Sequence, residues 1–183
     1  MSEIILITGG ARSGKSSFAE ELLKNSDDVL YIATAVRTDE EMEQRIAHHI
    51  SSRNQAWLTH EGYRELDRAL LEYPQQNILL DCVTNMISNL MFYSPNDPEE
   101  MSKDQEAALF LAIKHEFEKL LDFVNHADRQ LILVSNEVGM GLISEYKLGR
   151  RFVDFAGFIN QYLAARADEV YFMVSGLPLK VKG

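Results

Sequence analysis

Gly9-Gly10-Ala11-Arg12-Ser13-Gly14-Lys15-Ser16 holds residues whose order suits phosphate chemistry. Glycines at the first and sixth positions, followed at once by Lys and Ser, make the pattern Gly-x-x-x-x-Gly-Lys-Ser. Such a loop curls with its N–H groups inward around phosphates, its lysine reaches the outer phosphates, and its serine hydroxyl is placed for Mg2+. The apolar run Ile4–Thr8 before it and the helix-forming Ser16–Leu23 after it supply the strand and helix that the pattern requires. Glycine-rich turns also join strands to helices for steric reasons alone, but they do not demand Lys and Ser at those places. A second candidate is Asp81, which ends the apolar run of Asn77–Cys82. A carboxylate at the tip of a buried strand is placed to hold a magnesium ion's water shell; capping of the next turn is the competing role. The third candidate is His48. On a helix starting near Thr38 or Asp39 and ending near Ser52, Glu41, Arg45, His48 and Ser52 share a polar side, while Met42 and Ile46 share the packing side. Arg45 and Arg53 flank His48 and suit phosphates, against the simpler reading of a solvated helix surface.

Elements to position these groups follow from the hydrophobic pattern. Strands are expected at 4–8, 29–32, 77–81, 130–134 and 170–174, with helices between them. A short extended piece is expected at Trp57–Glu61, then a helix from Tyr63 to about Leu71. Further helices are expected over Thr84–Phe92, Lys103–Val124 and Leu148–Ala167, and a terminal hairpin is expected around Ser175-Gly176-Leu177-Pro178. The fold class is α/β: a three-layer, P-loop NTPase-like, mainly parallel sheet with helices on both faces and a hairpin at one edge. Such sheets place ligands at the carboxyl ends of their strands. Ser135–Gly141 adds polar side chains and two glycines at one such end.

The 183 residues read as a single nucleotide-binding catalytic domain. A formal net charge of -10 leaves no excess of Lys and Arg to neutralise a nucleic-acid backbone, so no nucleic-acid partner is expected. Cys82 is alone and forms no internal disulfide. No apolar run reaches about 18 residues and no signal peptide opens the chain, so no membrane span and a cytoplasmic location are expected. The small size suits a kinase-like enzyme better than a motor.

Several stretches together resemble a known family. GGARSGKS at 9–16, LYIATA at 30–35, the helix carrying Glu41-Met42, Arg45-Ile46 and His48-His49, and Trp57, Thr59 and Glu61 are followed by LLDC at 79–82. After these come SNEVGMG at 135–141, Arg150-Arg151-Phe152 with Asp154, Asn160-Gln161 with Leu163-Ala164, and ADEVYFMVSGLPLK at 167–180. From residue 4 to 182 they resemble the bifunctional adenosylcobinamide kinase / adenosylcobinamide-phosphate guanylyltransferase of cobalamin biosynthesis.

That resemblance implies two reactions on one scaffold. A nucleoside triphosphate, ATP or GTP, phosphorylates the hydroxyl of adenosylcobinamide. GMP from GTP is then joined to adenosylcobinamide phosphate through a guanylyl-histidine, which the resemblance puts on His48. A neutral imidazole is a competent nucleophile near pH 7, and two successive displacements bring the charged partners together one at a time. The resemblance also implies nucleotide contacts on the glycine-rich loop from Gly9 to Ser16, on Ala33, Thr34 and Ala35, on Ile50, Ser51, Ser52 and Arg53, and on Glu61 and Asp81. Glu61 would accept hydrogen bonds from a guanine edge or from ribose. The family assembles as a homotrimer. This chain departs from the family at Val153 and Phe158, where arginines are usual, and at Ser144, where proline is frequent. Local surface change is the favoured explanation, altered binding of the acceptor the other. Competing functions are a phosphate-loop kinase without the nucleotidyl step and a nucleotide-gated binding module.

Overall fold

A computed structural model describes residues 2–36, 54–95, 97 and 100–183. Among them, β1 (Glu3–Gly9), β2 (Val29–Ala33), β3 (Leu58–Glu61), β4 (Asn77–Asp81), β5 (Gln130–Val134), β6 (Glu169–Val174) and β7 (Leu177–Lys182) form one sheet in the order β3-β2-β4-β5-β1-β6-β7. All neighbours are parallel except β6 and β7. β1, β2, β4 and β5 are buried almost throughout, as the apolar runs ILI, VLYI, ILL and LILV require of strands covered on both faces.

Alternate side chains of each strand feed two cores. Ile4, Leu6, Leu80 and Leu133 meet α2 (Leu66–Ala69), α3 (Val83–Phe92), α4 (Lys103–His126) and α5 (Lys147–Arg166). Ile5, Ile7, Leu79 and Val134 meet Ala19 of α1 (Lys15–Leu22) and Trp57. Helix α4 starts at a capping box, in which Ser102 accepts from the Gln105 N–H and the Gln105 side chain accepts from the Ser102 N–H.

Three elements differ from the sequence expectation. Residues 58–61 are a full edge strand parallel to β2, although their side chains are mostly exposed and carry no buried-strand pattern. The expected helix from Tyr63 shortens to α2 followed by a 3-10 turn at Leu70–Glu72. The hairpin turns on two residues, because Ser175 and Gly176 both adopt positive φ (53° and 86°), so β7 begins at Leu177 and includes Pro178. Pro178 is tolerated there because β7 is an edge strand. The helix expected between Thr38 and Ser52 lies outside the described residues.

Candidate functional site

The parallel strands end on one edge, where hydrogen-bonding register lines up Glu61, Ala33, Asp81, Val134 and Ile7 as neighbours across β3, β2, β4, β5 and β1. From Ile7, β1 continues to Gly9. Its φ is 151°, and an added Cβ would fall 2.7 Å from Ser13 Oγ and 2.8 Å from the Met173 carbonyl oxygen on β6. The chain then curls through residues 10–14 and enters α1 at Gly14 (φ 92°), where no side chain caps the helix. Its first N–H groups are thus left to the cavity above. The β6–β7 turn braces this loop from outside, with the Gly176 N–H donating to the Ser13 carbonyl at 3.0 Å.

Residues 11–17 line one cavity of about 510 Å³ together with Asp81, Cys82, Val134 and Asn136. Lys15 is buried, and its ammonium donates to the Gly10 carbonyl at 2.5 Å, back onto its own loop. Burial lowers its pKa, and the charges of Cys82 and Asp81 oppose that shift. Ser13 Oγ is buried with no hydrogen-bond partner among the described residues. An ammonium resting on a carbonyl and an unpartnered hydroxyl both have donor capacity left for an anion. Ser16 and Asp81 share this cavity, and Asp81 Oδ2 accepts from the Tyr31 hydroxyl at 2.9 Å. A hydroxyl and one carboxylate suffice as the protein share of a magnesium site, since Mg2+ takes most of its ligands from phosphate and water. The cavity therefore fits the ion. Burial raises the Cys82 thiol to about 11, so it stays protonated at neutral pH and is no nucleophile.

The other expected residues are more dispersed. The Thr34 hydroxyl is buried and donates to the Cys82 carbonyl at 2.7 Å while accepting from the Cys82 N–H at 2.8 Å, so it ties the tips of β2 and β4 together. Ala33 and Ala35 flank it, half-buried. Glu61 is exposed at the tip of β3. Four strand spacings separate β3 from β1, about 19 Å across the sheet at ~4.8 Å each. His48, Ile50, Ser51, Ser52 and Arg53 lie outside the described residues.

At the positions where the chain departs from its resemblance, Ser144 and Val153 line a separate cavity of about 190 Å³. Phe158 is exposed and meets the Phe110 ring edge-on at 5.8 Å. None of the three lines the cavity over the glycine-rich loop. Arg151 is buried and donates to Glu106 at 2.8 Å and to the Met101 carbonyl at 2.9 Å, which makes it a packing residue. Asn136 lines the cavity, Tyr31 holds Asp81 and Thr84 stands behind Asn136, and none of the three is singled out as a site residue by the sequence. The only signal for Asn136 is the polar cluster that follows β5.

Comparison with known proteins adds a chemical identity. The profile of the family described as cobinamide kinase / cobinamide phosphate guanyltransferase matches residues 5–181. The bifunctional adenosylcobalamin biosynthesis protein CobU of Salmonella typhimurium is 45% identical over 98% of this chain and 99% of its own length. Its Escherichia coli counterpart is 44% identical over 98% and 99%. The bifunctional adenosylcobalamin biosynthesis protein CobP of Pseudomonas aeruginosa is 39% identical over 97% and 96%. Among solved structures, a KaiC-like protein of Pyrococcus horikoshii aligns over 93% of this chain and 70% of its own at 13% identity, with a TM-score of 0.49. That likeness carries no functional argument.

Proposed function

The chain belongs to the cobinamide kinase / cobinamide phosphate guanyltransferase family, and on that premise we propose that the cavity over its phosphate loop serves two consecutive transfers. In the first, the hydroxyl oxygen of adenosylcobinamide attacks the terminal phosphorus of a nucleoside triphosphate. The bond to the bridging oxygen breaks, the nucleoside diphosphate leaves and the hydroxyl proton is released. In the second, an imidazole nitrogen of His48 attacks the α-phosphorus of GTP and pyrophosphate leaves. A phosphate oxygen of adenosylcobinamide phosphate then displaces the imidazole, breaking the phosphorus–nitrogen bond and giving adenosylcobinamide-GDP.

The observation that carries this reading is the gathering of Lys15, Ser16 and Asp81 in one cavity, with an unpartnered Ser13 hydroxyl. In a P-loop NTPase-like arrangement the loop N–H groups and Lys15 hold the outer phosphates, so that developing charge meets donors already in place. Ser16 and Asp81 hold Mg2+, which neutralises phosphate charge when bound. Glu61, across the sheet, is at a distance suited to the nucleoside end of the same molecule and accepts from guanine or ribose. Ala33 and Ala35 offer backbone groups between the two ends. Ile50, Ser51, Ser52 and Arg53, after His48, complete the nucleotide contacts. Residues 1–183 act as a single catalytic domain, as a homotrimer, in the cytoplasm.

The test is labelling with GTP radioactive at the α-phosphate. The protein should acquire label that is lost in acid and kept in base, as a phosphoramidate is, and His48→Ala should acquire none. Label on the His48→Ala protein removes His48 from its role. Absence of label on the wild type, with acceptor phosphorylation intact, leaves a kinase without the nucleotidyl step.

A further inference from the structure

Strand β5 lies between β4 and β1 in the sheet, so the residues just past its tip stand between Asp81 and the phosphate loop. Asn136 is one of them, half-buried and in the wall of the cavity that also holds Lys15, Ser16 and Asp81. Its backbone and side chain are held independently. The Asn136 carbonyl accepts from Asn160 Nδ2 of α5 at 3.2 Å, and Asn160 Oδ1 accepts from Ser135 Oγ at 2.6 Å. Ser135 and Asn160 are both buried, so this anchor is shielded from water. On the side chain, Nδ2 donates to Thr84 Oγ1 at 2.7 Å and lies 3.9 Å from Cys82 Sγ, both part of the wall behind it. Committing the amide nitrogen to the wall leaves the acceptor oxygen for the cavity, and no hydrogen bond from the described residues engages Oδ1.

A neutral oxygen acceptor facing this cavity is chemically selective. It repels phosphate oxygens, which are themselves acceptors, and accepts from an O–H or N–H donor. Beside the terminal phosphate, the donor that phosphoryl transfer brings is an O–H. We infer that Asn136 Oδ1 accepts the hydrogen bond of an O–H group beside the terminal phosphate, either the alcohol of the phosphoryl acceptor or a water on the magnesium ion. It thereby orients the phosphoryl-transfer step. The inference rests on the proposed kinase function of this cavity. Thr84, which is buried and does not line the cavity, is a positioning residue that acts through Asn136.

The experiment compares wild type, Asn136→Ala, Thr84→Val and Thr84→Ser for acceptor phosphorylation, for nucleotide Kd and for α-phosphate labelling without acceptor. Asn136→Ala should lower the kcat of phosphorylation roughly ten- to a hundredfold, the effect of losing one hydrogen bond made in the transition state. Its self-labelling, which involves no alcohol acceptor, should fall by less than its kcat of phosphorylation, and a change in its nucleotide Kd should not account for the loss. Thr84→Val should lose part of the same kcat, and Thr84→Ser, which keeps the hydroxyl, should restore it. A fall in kcat that titration with Mg2+ relieves identifies the donor as metal-bound water; one that Mg2+ leaves unchanged identifies the acceptor alcohol. Wild-type kcat in Asn136→Ala overturns the inference, and so does a loss accounted for wholly by weaker nucleotide binding. A wild-type protein that phosphorylates no acceptor would instead overturn the kinase reading on which the inference stands.

Discussion

Replacing Gly9 by Ala tests how the phosphate loop is built. Gly9 has a φ of 151°, and its missing Cβ would stand 2.7 Å from Ser13 Oγ and 2.8 Å from the Met173 carbonyl oxygen. The Ser13 side chain can rotate away. The Met173 carbonyl cannot, because Gly9 and Met173 are registered partners in the pairing of β1 with β6. Backbone strain in a glycine-only region costs about 1–3 kcal/mol, and overpacking against a rigid neighbour costs about 1–3 kcal/mol more. The sum, about 2–6 kcal/mol, is a large part of the ~5–15 kcal/mol that holds a domain folded. For a chain of this size it corresponds to a fall in Tm of roughly 4–24 °C. The control is Gly10→Ala, where an added Cβ meets nothing within 4 Å. It should change stability by less than about 0.5 kcal/mol and, since Gly10 does not line the cavity of residues 11–17, bind GTP with Mg2+ more tightly than Gly9→Ala does. Thermal melts of the apo proteins and titration with nucleotide read the two effects separately. A Gly9→Ala protein melting within about 1 °C of wild type refutes the reasoning. So does full rescue of Gly9→Ala by Ser13→Ala, which would make the movable hydroxyl, not the Met173 carbonyl, the obstacle.

Two further predictions concern the groups around that loop. Lys15→Met should abolish tight triphosphate binding and change the pH dependence of the apo protein's stability. Burial lowers the Lys15 pKa below its ordinary 10.5, so just below pH 10.5 the unfolded chain binds more protons at this residue than the folded one. Its contribution to stability therefore rises with pH through that window. Urea melts across it should show the rise in wild type and lack it in Lys15→Met; identical pH profiles refute the assignment. Behind the cavity, Asn160→Leu leaves the buried Ser135 hydroxyl without its 2.6 Å partner and frees the Asn136 carbonyl, at a cost of about 2–4 kcal/mol. The Ser135→Ala/Asn160→Leu double variant should recover about 1–2 kcal/mol of the summed single losses by urea denaturation, since the Ser135 hydroxyl is then no longer left unpaired, while the freed Asn136 carbonyl costs the same as in Asn160→Leu alone. Simple additivity would show that the two residues do not depend on each other.

Much of the site is local in sequence and legible there. A loop that ends a buried strand and starts a helix with Lys15 and Ser16 needs no distant contact to be recognised, and Asp81 is marked by the apolar run it ends. Parallel strands also follow locally, because strands buried on both faces show no alternation of polar and apolar residues. β3 is harder to read, since LTHE is too short and too exposed to show a period; only its hydrogen bonds to β2 make it a strand. The resemblance puts Thr34 among the nucleotide contacts, and the fold adds what no local pattern shows, a clasp of its hydroxyl on Cys82 48 residues away.

The sequence by itself determined the phosphate chemistry, the α/β class and, through motifs spread over the whole chain, the family. Only the tertiary structure decided which strand tips are neighbours, that the β6–β7 turn braces the loop, and that Asn136 stands between Lys15 and Asp81. The division has a physical cause. Propensity and periodicity act over a few residues, whereas sheet order and the partners of buried polar groups are settled by pairings between residues far apart in the chain.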